Sequence, residues 1–172
     1  MNDIGFPRSE EELNRMCPPF VEHQECTVID VVKEICRTDS TLHINVTEHI
    51  GCLYNVTKYY SSNCSQTIKN NQERIIKYIE EISGEEPYTY QHRLWKSYDC
   101  LDQSLFFVCY SAQILEDCGH AAERLVRQLL NSIDYIEQFC PVSQHDDIKQ
   151  LMAIMELSAE EVRALKKLFS ME

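Results

Sequence analysis

Nine cysteines constrain this chain more than any other feature, because three of them recur at a fixed interval. The segment CLDQSLFFVCYSAQILEDCG, residues 100–119, places eight residues between each neighbouring pair of cysteines. Nine residues of α-helix advance about 13.5 Å and turn about 900°, whereas disulfide partners need Cα atoms within about 7 Å. Cys100, Cys109 and Cys118 therefore cannot pair with one another inside one continuous helix. Unless that helix breaks, we expect each to reach a different neighbouring segment.

The spacing favours disulfides over metal binding or thiol redox chemistry. Structural zinc sites use closely paired ligands and redox centres use C-x-x-C, and neither pattern occurs here. We predict about four disulfides from these candidates: Cys17, Cys26, Cys36, Cys52, Cys64, Cys100, Cys109, Cys118 and Cys140. Nine is an odd number, so one thiol is free, bonded to another chain, or paired with a cysteine in a preceding segment.

Apolar residues recur at helical spacing along most of the chain, and no segment alternates with a period of two for long enough to predict a strand. We therefore predict an all-α fold, a disulfide-stapled helical bundle of about six to nine helices. Ser9 and Glu12 form a predicted capping box. Breaks are predicted at Pro18–Pro19, which would open a second helix, after Tyr60, and at Gly119.

The domain prediction separates a stapled body from a cysteine-free end. Residues 1–141 are predicted to form one disulfide-stapled helical domain. The spacing C-x₈-C-x₉-C from Cys17 to Cys36 resembles the later triplet, so residues 17–64 and 93–140 would be two related modules. Convergent helix lengths explain the same pattern nearly as well.

Residues 142–172 are predicted to be an amphipathic tail of two helices, capped by Ser143 and Ser158. Their apolar stripe is too hydrophobic to stay in water. It consists of Ile148, Leu151, Met152, Met155, Val162, Leu165, Leu168 and Phe169. Two interpretations stay open: the stripe completes the core, or it docks on a second copy or a partner.

The charge balance argues against two classes of partner. The formal net charge is −12 and Lys and Arg are scattered, whereas nucleic-acid binding needs clustered basic residues. The longest apolar run, Leu105–Tyr110, is too short to span a bilayer. We therefore expect neither nucleic-acid binding nor a membrane span.

The first residues, MNDIGFPRSEEELNRMC, lack the basic start and apolar stretch of a signal peptide. Three explanations stay open: a signal that was removed, a cytosolic protein, or a gene model that starts late. A missing N-terminal segment would explain both the odd cysteine and the absent signal.

Three glycosylation acceptor sequences support a secretory origin. Asn45, Asn55 and Asn63 each begin an N-x-S/T sequence within nineteen residues. Chance alone would give about one such sequence in a chain of this composition. We expect a secreted, extracellular glycoprotein.

No catalytic, cofactor-binding or metal-binding pattern stands out. His43 and His49 lie six residues apart without a third ligand nearby, so a surface role is favoured over a metal site. The chain also lacks a Gly-rich phosphate loop and the common hydrolase motifs. The aromatic residues with helical spacing would line a ligand pocket or, more commonly, belong to the core. These are Trp95, Tyr98, Phe106 and Phe107.

The run FPRSEEELNRMCPPFVEHQECTVIDVVKEIC, together with the later C-x₈-C-x₈-CG and a final cysteine, resembles a family of secreted, helical, cysteine-rich arthropod proteins. Similar signatures occur in insect haemolymph glycoproteins and in a nematode–arthropod domain of unknown function. The resemblance covers roughly residues 5–140. It implies secretion, disulfides and a cysteine-bearing segment before the FP entry, and it brings no catalytic residues.

Insect odorant-binding proteins are a second comparison, because they are helical, secreted and acidic and end with a C-x₈-C pair. Cys109 and Cys118 match that pair. Tyr60, however, stands where their C-x₃-C pair requires a cysteine.

Together these observations predict a secreted binding or interaction protein that is not an enzyme. Its partner would be an extracellular protein, with the odd cysteine and the tail as two routes to an oligomer. The alternative is a carrier of a small apolar ligand in a closed cavity of roughly 300–1,000 Å³. An enzyme of unrecognised type is the third candidate.

Overall fold

The computed structural model describes residues 6–22, 29–82 and 88–171, and within these ranges the chain is all-α. The prediction of a disulfide-stapled helical fold is confirmed. The elements follow in this order: α1 (Glu10–Glu22), α2 (Ile29–Cys36), α3 (Thr41–Ile82), α4 (Tyr88–Ser132), α5 (Tyr135–Phe139), a 3₁₀ turn (Val142–Gln144), α6 (His145–Ile154) and α7 (Ala159–Leu168). No helix in the described part of the chain is both long and apolar enough to cross a membrane.

The chain divides into two compact units. The first contains residues 1–61 and 111–135, and the second contains residues 62–110 and 136–172. The long helices α3 and α4 each contribute one segment to each unit. The related modules proposed from cysteine spacing, 17–64 and 93–140, stay a prediction.

The first unit is built from α1, α2, the N-terminal half of α3 and the C-terminal part of α4. Two disulfides lie within it: Cys17–Cys36 joins α1 to the end of α2, and Cys52–Cys118 joins α3 to α4. Their Cα–Cα distances are 5.5 and 5.8 Å, within the range that a disulfide requires. The buried apolar cluster of this unit consists of Leu13, Cys17, Val46, Ile50 and Leu125.

A buried histidine links three elements of the first unit. His43 is only 2% exposed, and its Nδ1 lies 2.7 Å from the carbonyl oxygen of Ile35 at the end of α2. Its Nε2 lies 3.5 Å from Glu10 Oε1 on α1. The His43 backbone N–H donates to Ser40 Oγ at 2.9 Å, which caps the start of α3. The structure therefore places His43 inside the unit, and the surface role expected for it is wrong.

The second unit has a larger buried cluster, to which α3, α4, α6 and α7 all contribute. Its fully or nearly fully buried members are Ile75, Ile79, Leu94, Tyr98, Cys100, Leu101, Leu105, Cys140, Ile148, Leu151, Met152, Met155, Leu165 and Phe169. Two disulfides lie within this unit: Cys64–Cys109 and Cys100–Cys140. The cysteine triplet thus does not pair with itself, although Cys109 and Cys118 both reach α3 rather than two different segments.

The tail is part of this core. Ile148, Leu151 and Leu165 are 0% exposed, and burying a side chain of this size stabilises by about 1.5–3 kcal/mol. Of the two interpretations of the tail, the structure therefore supports the one in which its apolar stripe completes the core, here that of the second unit.

Polar contacts fix the tail to the same unit. Arg93 on α4 donates to both carboxylate oxygens of Asp147, with Nε at 2.8 Å and a second nitrogen at 3.1 Å. Ser97 Oγ adds a third donor to Asp147 at 3.4 Å. Near the end of α6, the Glu156 backbone N–H donates to Asn71 Oδ1 at 2.8 Å. These bonds satisfy polar groups that burial would otherwise leave unpaired.

The predicted break at Pro18–Pro19 is wrong, because α1 continues through both prolines to Glu22. Proline removes the N–H that would bond the carbonyl four residues earlier, here those of Asn14 and Arg15. Both residues are exposed, so water can hydrate the two carbonyls. The loss is therefore tolerated.

The predicted break after Tyr60 is also absent, since α3 runs unbroken from Thr41 to Ile82. The intervening residues are poor helix formers, but Cys64 is 1% exposed and bonded to Cys109. Tertiary contact overrides local propensity here. The break at Gly119 is confirmed: its φ of 82° and ψ of 176° interrupt α4, in a region that glycine adopts without strain.

The two serine caps of the tail differ. Ser158 accepts a hydrogen bond from the Glu161 backbone N–H, and Glu161 returns one to the Ser158 N–H, so the capping box is confirmed. Ser143 lies in the 3₁₀ turn, and α6 begins after Gln144 without a side-chain cap. That predicted cap is wrong because the turn supplies the first backbone hydrogen bonds instead.

Candidate functional site

An apolar cavity of about 220 Å³ lies within the first unit. The described residues that line it are Phe6, Pro7, Leu13, Met16, Cys17, Val32, Ile35, Cys36, Val46, Leu53, Val126 and Leu129. All twelve of these side chains are apolar or belong to a disulfide. They offer a ligand no side-chain hydrogen-bond partner.

The helices present this lining through their regular spacing. Leu13, Met16 and Cys17 occupy positions i, i+3 and i+4 of α1, which lie on one face of a helix. Val32, Ile35 and Cys36 repeat the same spacing on α2. The same spacing could have indicated the cavity wall from sequence, although it predicts a buried face equally well.

The remaining wall comes from the two long helices. Val46 and Leu53 are seven residues apart on α3, and Val126 and Leu129 are three apart on α4, so each pair lies on one helix face. Val46 and Leu53 are buried, at 5% and 3% exposure. These two residues therefore form a buried part of the lining.

The lining is partly open to solvent at Phe6, which is 39% exposed. The segment that carries Phe6 and Pro7 is held by Arg8. The Arg8 backbone N–H donates to Glu12 Oε2 at 2.8 Å, and its guanidinium carbon lies 5.4 Å from the centroid of the Tyr54 ring. Phe6 therefore stands at the mouth of the cavity on an anchored segment.

The Cys17–Cys36 disulfide is part of the wall. It joins the lining faces of α1 and α2 covalently. An empty apolar cavity costs stability, because its lining lacks contacts on one side. The cross-link opposes collapse or separation of the two helices, and so it favours a lasting cavity.

The chemistry available in this cavity is binding. None of its described lining residues has a titratable side chain, so these residues supply no general acid, general base or nucleophile. In the described part of the chain, no group of three or more His, Cys, Asp and Glu residues is arranged to hold a metal ion.

The aromatic residues selected from the sequence lie in the second unit, and two of them, Tyr98 and Phe106, border the same surface hollow. Trp95 is 37% exposed and meets Tyr98 edge-on at 5.9 Å between ring centroids. Phe106 stacks on Tyr110 at 6.0 Å, and Phe107 is buried. We expected these aromatic residues either to line a ligand pocket or to belong to the core. Tyr98 and Phe107 are buried core residues.

Tyr98 and Asp102 border a polar hollow of about 490 Å³ on the second unit. Tyr98 Oη donates to Asp102 Oδ1 at 3.4 Å. Burial, together with the nearby Asp102 charge, raises the pKa of Tyr98 to about 12. Burial likewise raises the pKa of Asp102, and the charge of Asp99 adds to that shift while the Tyr98 hydrogen bond opposes it. The hollow is a surface feature with Lys69 and Asp99 exposed at its edge.

The glycosylation candidates differ in access. Asn55 on α3 is exposed, whereas Asn45 is half-buried. The hydroxyl of Thr57, which completes the Asn55 acceptor sequence, donates to the Leu53 carbonyl at 2.6 Å. The side chain of Asn63 lies outside the described residues. Asn55 is therefore the best-placed acceptor of the two that can be compared.

The odd cysteine can be assigned by elimination. Eight cysteines form four disulfides among themselves, so Cys26 is left over from the nine in the sequence. Cys26 itself lies outside the described residues.

Comparison with protein-family models, with curated proteins and with solved structures finds no match to this chain.

Proposed function

We propose that this protein is a secreted binding protein without catalytic activity, and that it carries a small apolar ligand in the cavity of its first unit. The observation that supports this most directly is that all twelve described lining residues are apolar or disulfide-bonded. Such residues suit an apolar ligand and supply none of the side chains that acid–base catalysis would use.

The volume of the cavity limits the size of the ligand that it can hold. Its volume of about 220 Å³ lies below the roughly 300–1,000 Å³ that is usual for drug-sized ligands. The ligand is therefore smaller than a long-chain lipid or a polycyclic compound of that size.

Secretion is supported by independent features of the chain. Four disulfides are typical of proteins that fold in an oxidising compartment. The exposed Asn55 is an accessible glycosylation acceptor, and the resemblance to secreted cysteine-rich arthropod proteins points the same way. Expression behind a secretory leader tests this part: we expect folded protein in the medium, with a glycan mass that Asn55→Gln removes.

Native mass spectrometry of the protein purified from its natural source tests the carrier function. We expect a small neutral molecule that leaves on activation. For binding in vitro, Val126→Phe fills the cavity and should abolish stabilisation by naphthalene, used as a small apolar probe. Val142→Phe is the matched control, because Val142 is 79% exposed in the second unit.

Absence of any bound molecule, together with absence of stabilisation by naphthalene, would refute the carrier proposal. Equal stabilisation of both variants would show that naphthalene binds elsewhere. In either case an interaction with an extracellular protein would become the leading alternative.

A further inference from the structure

We infer that the ligand of the first unit is an uncharged aromatic compound of about nine or ten ring carbons, without a hydrogen-bonding group that must be buried. This inference rests on the proposed function and specifies its ligand class. Three observations carry it: the volume of the cavity, the apolar character of its described lining residues and the sulfur-containing residues in its wall.

The volume sets the size. An apolar cavity of about 150 Å³ lined by Leu, Ile and Phe is large enough to bind benzene. The present cavity of about 220 Å³ is about one and a half times as large, which corresponds to about nine carbon atoms. A bicyclic aromatic molecule such as naphthalene is therefore about the largest ligand that the cavity can hold.

The lining sets the polarity. Because none of the described lining side chains can accept or donate a conventional hydrogen bond, a ligand hydroxyl would lose its water partners on binding. We expect this to weaken binding about tenfold or more. A carboxylate would lose far more, so we expect no anionic group to be bound against the buried side chains of Val46 and Leu53.

The sulfur atoms favour an aromatic ligand over a saturated one. Met16 contributes a thioether, and the Cys17–Cys36 disulfide contributes two further sulfur atoms to the wall. Sulfur contacts the edges of aromatic rings favourably. Phe6 at the mouth can in addition meet a bound ring edge-on or by offset stacking.

A matched series of probes tests the inference on the full-length, disulfide-bonded protein. Isothermal titration calorimetry would compare naphthalene with decahydronaphthalene, 2-naphthol and 2-naphthoate. We expect naphthalene to bind most tightly, decahydronaphthalene several-fold more weakly, 2-naphthol at least tenfold more weakly, and 2-naphthoate not measurably.

A conservative variant separates the sulfur contribution from simple shape. Met16→Leu keeps the size and apolar character of the side chain, and should reduce the preference for naphthalene over decahydronaphthalene several-fold. Met152→Leu is the matched control, since Met152 is buried in the core of the second unit, and should leave that preference unchanged.

The outcomes distinguish this inference from the proposed function. Equal affinity for the aromatic and saturated probes, or no change in preference with Met16→Leu, overturns the aromatic assignment while the carrier function stands. Tighter binding of 2-naphthoate than of naphthalene overturns the uncharged assignment. Binding of none of the four probes, as when residues of this chain fill the cavity, overturns the carrier function itself.

Discussion

The two units use the same number of disulfides but differ in what surrounds them. In the first unit the described buried cluster has five members, and an apolar cavity of about 220 Å³ lies beside it. In the second, fourteen described residues form the buried cluster, and the tail, residues 142–172, supplies six of them. The first unit is thus a hollow structure closed by cross-links, and the second a packed structure with cross-links added.

The difference teaches how disulfides can serve function as well as stability. A core held by packing alone loses stability when it contains a void. A covalent link between the walls stabilises mainly by restricting the unfolded chain, so it can compensate for contacts that a binding cavity leaves unmade. In the first unit, the Cys17–Cys36 disulfide is such a link, because it joins two helices that line the cavity.

The largest effect is expected from removing a fully buried tail side chain of the packed unit. Leu151 is 0% exposed, so Leu151→Ala should lower the free energy of unfolding by about 2–5 kcal/mol. Leu168→Ala, at a half-buried position of the same tail, should cost clearly less. Urea denaturation monitors both variants, and equal, small losses would show that the tail is not part of the core.

Removing one disulfide from each unit separates stability from binding. The double variant Cys17→Ser/Cys36→Ser should lower the free energy of unfolding by about 3 kcal/mol, given the short loop that this bond closes, and should also abolish stabilisation by naphthalene. Cys64→Ser/Cys109→Ser in the second unit should cost a similar amount without affecting naphthalene binding. Loss of binding in both double variants would contradict the assignment of the cavity wall.

A smaller effect is expected at the polar contact that holds α6. Asp147→Asn removes the charge that Arg93 and Ser97 contact, and should lower the free energy of unfolding by about 1–3 kcal/mol. Asp146→Asn is the control, because the Asp146 side chain is almost fully exposed and pairs only with the exposed Lys149 among the described residues. Thermal unfolding of both variants at low and high salt measures the difference, and a loss for Asp146→Asn as large as that for Asp147→Asn would argue against the buried contact.

The smallest effects concern pH, and they have opposite signs in the two units. Burial alone would raise the pKa of Glu123 in the first unit, but hydrogen bonds from Arg127 and Ser111 hold it below its ordinary value. Its contribution to stability is present above that ordinary pKa and is lost as the pH falls through the folded pKa. In the second unit, burial raises the pKa of Asp102. Protonation of Asp102 at low pH therefore increases the free energy of unfolding.

Alkali acts on the second unit through Tyr98. Its folded pKa of about 12 exceeds the ordinary value of 10, so its contribution to stability is complete below pH 10 and is lost as the pH rises from 10 to 12. Side-chain NMR titration would report both groups, with Glu123→Gln and Tyr98→Phe as controls. Ordinary pKa values for both groups would remove this difference between the units.

The sequence predicts the class of fold well, because helical spacing and cysteine spacing depend on local geometry. The stripe through Ile148, Leu151 and Leu165 indicated a buried face, and Gly119 marked a break that the structure has. The sequence did not predict which cysteines pair, since Cys64 and Cys109 meet only through tertiary packing. We also predicted a break after Tyr60, but α3 continues through this point and is linked to α4 by the Cys64–Cys109 disulfide.

The candidate site was harder to predict than the fold. Leu13, Met16 and Val32 show the spacing of a buried helix face, but spacing does not reveal whether the face meets another side chain or an empty space. That depends on how four segments, distant in sequence, converge around the Cys17–Cys36 bond. Trp95, Tyr98, Phe106 and Phe107 were instead the candidates for a ligand pocket, because they are aromatic and have helical spacing. They lie in the second unit.

The central claim is that the apolar cavity of the first unit binds the ligand, and that the described core of the second unit does not. Methyl NMR of the full-length protein during titration with naphthalene tests this most directly. We predict shifts of methyl groups that line the cavity, among them those of Leu13, Val46, Leu53, Val126 and Leu129, while the core methyl groups of Leu101, Ile148 and Leu151 stay unchanged. Shifts confined to the second unit, or no shifts at a concentration near the solubility limit of naphthalene, would contradict the claim.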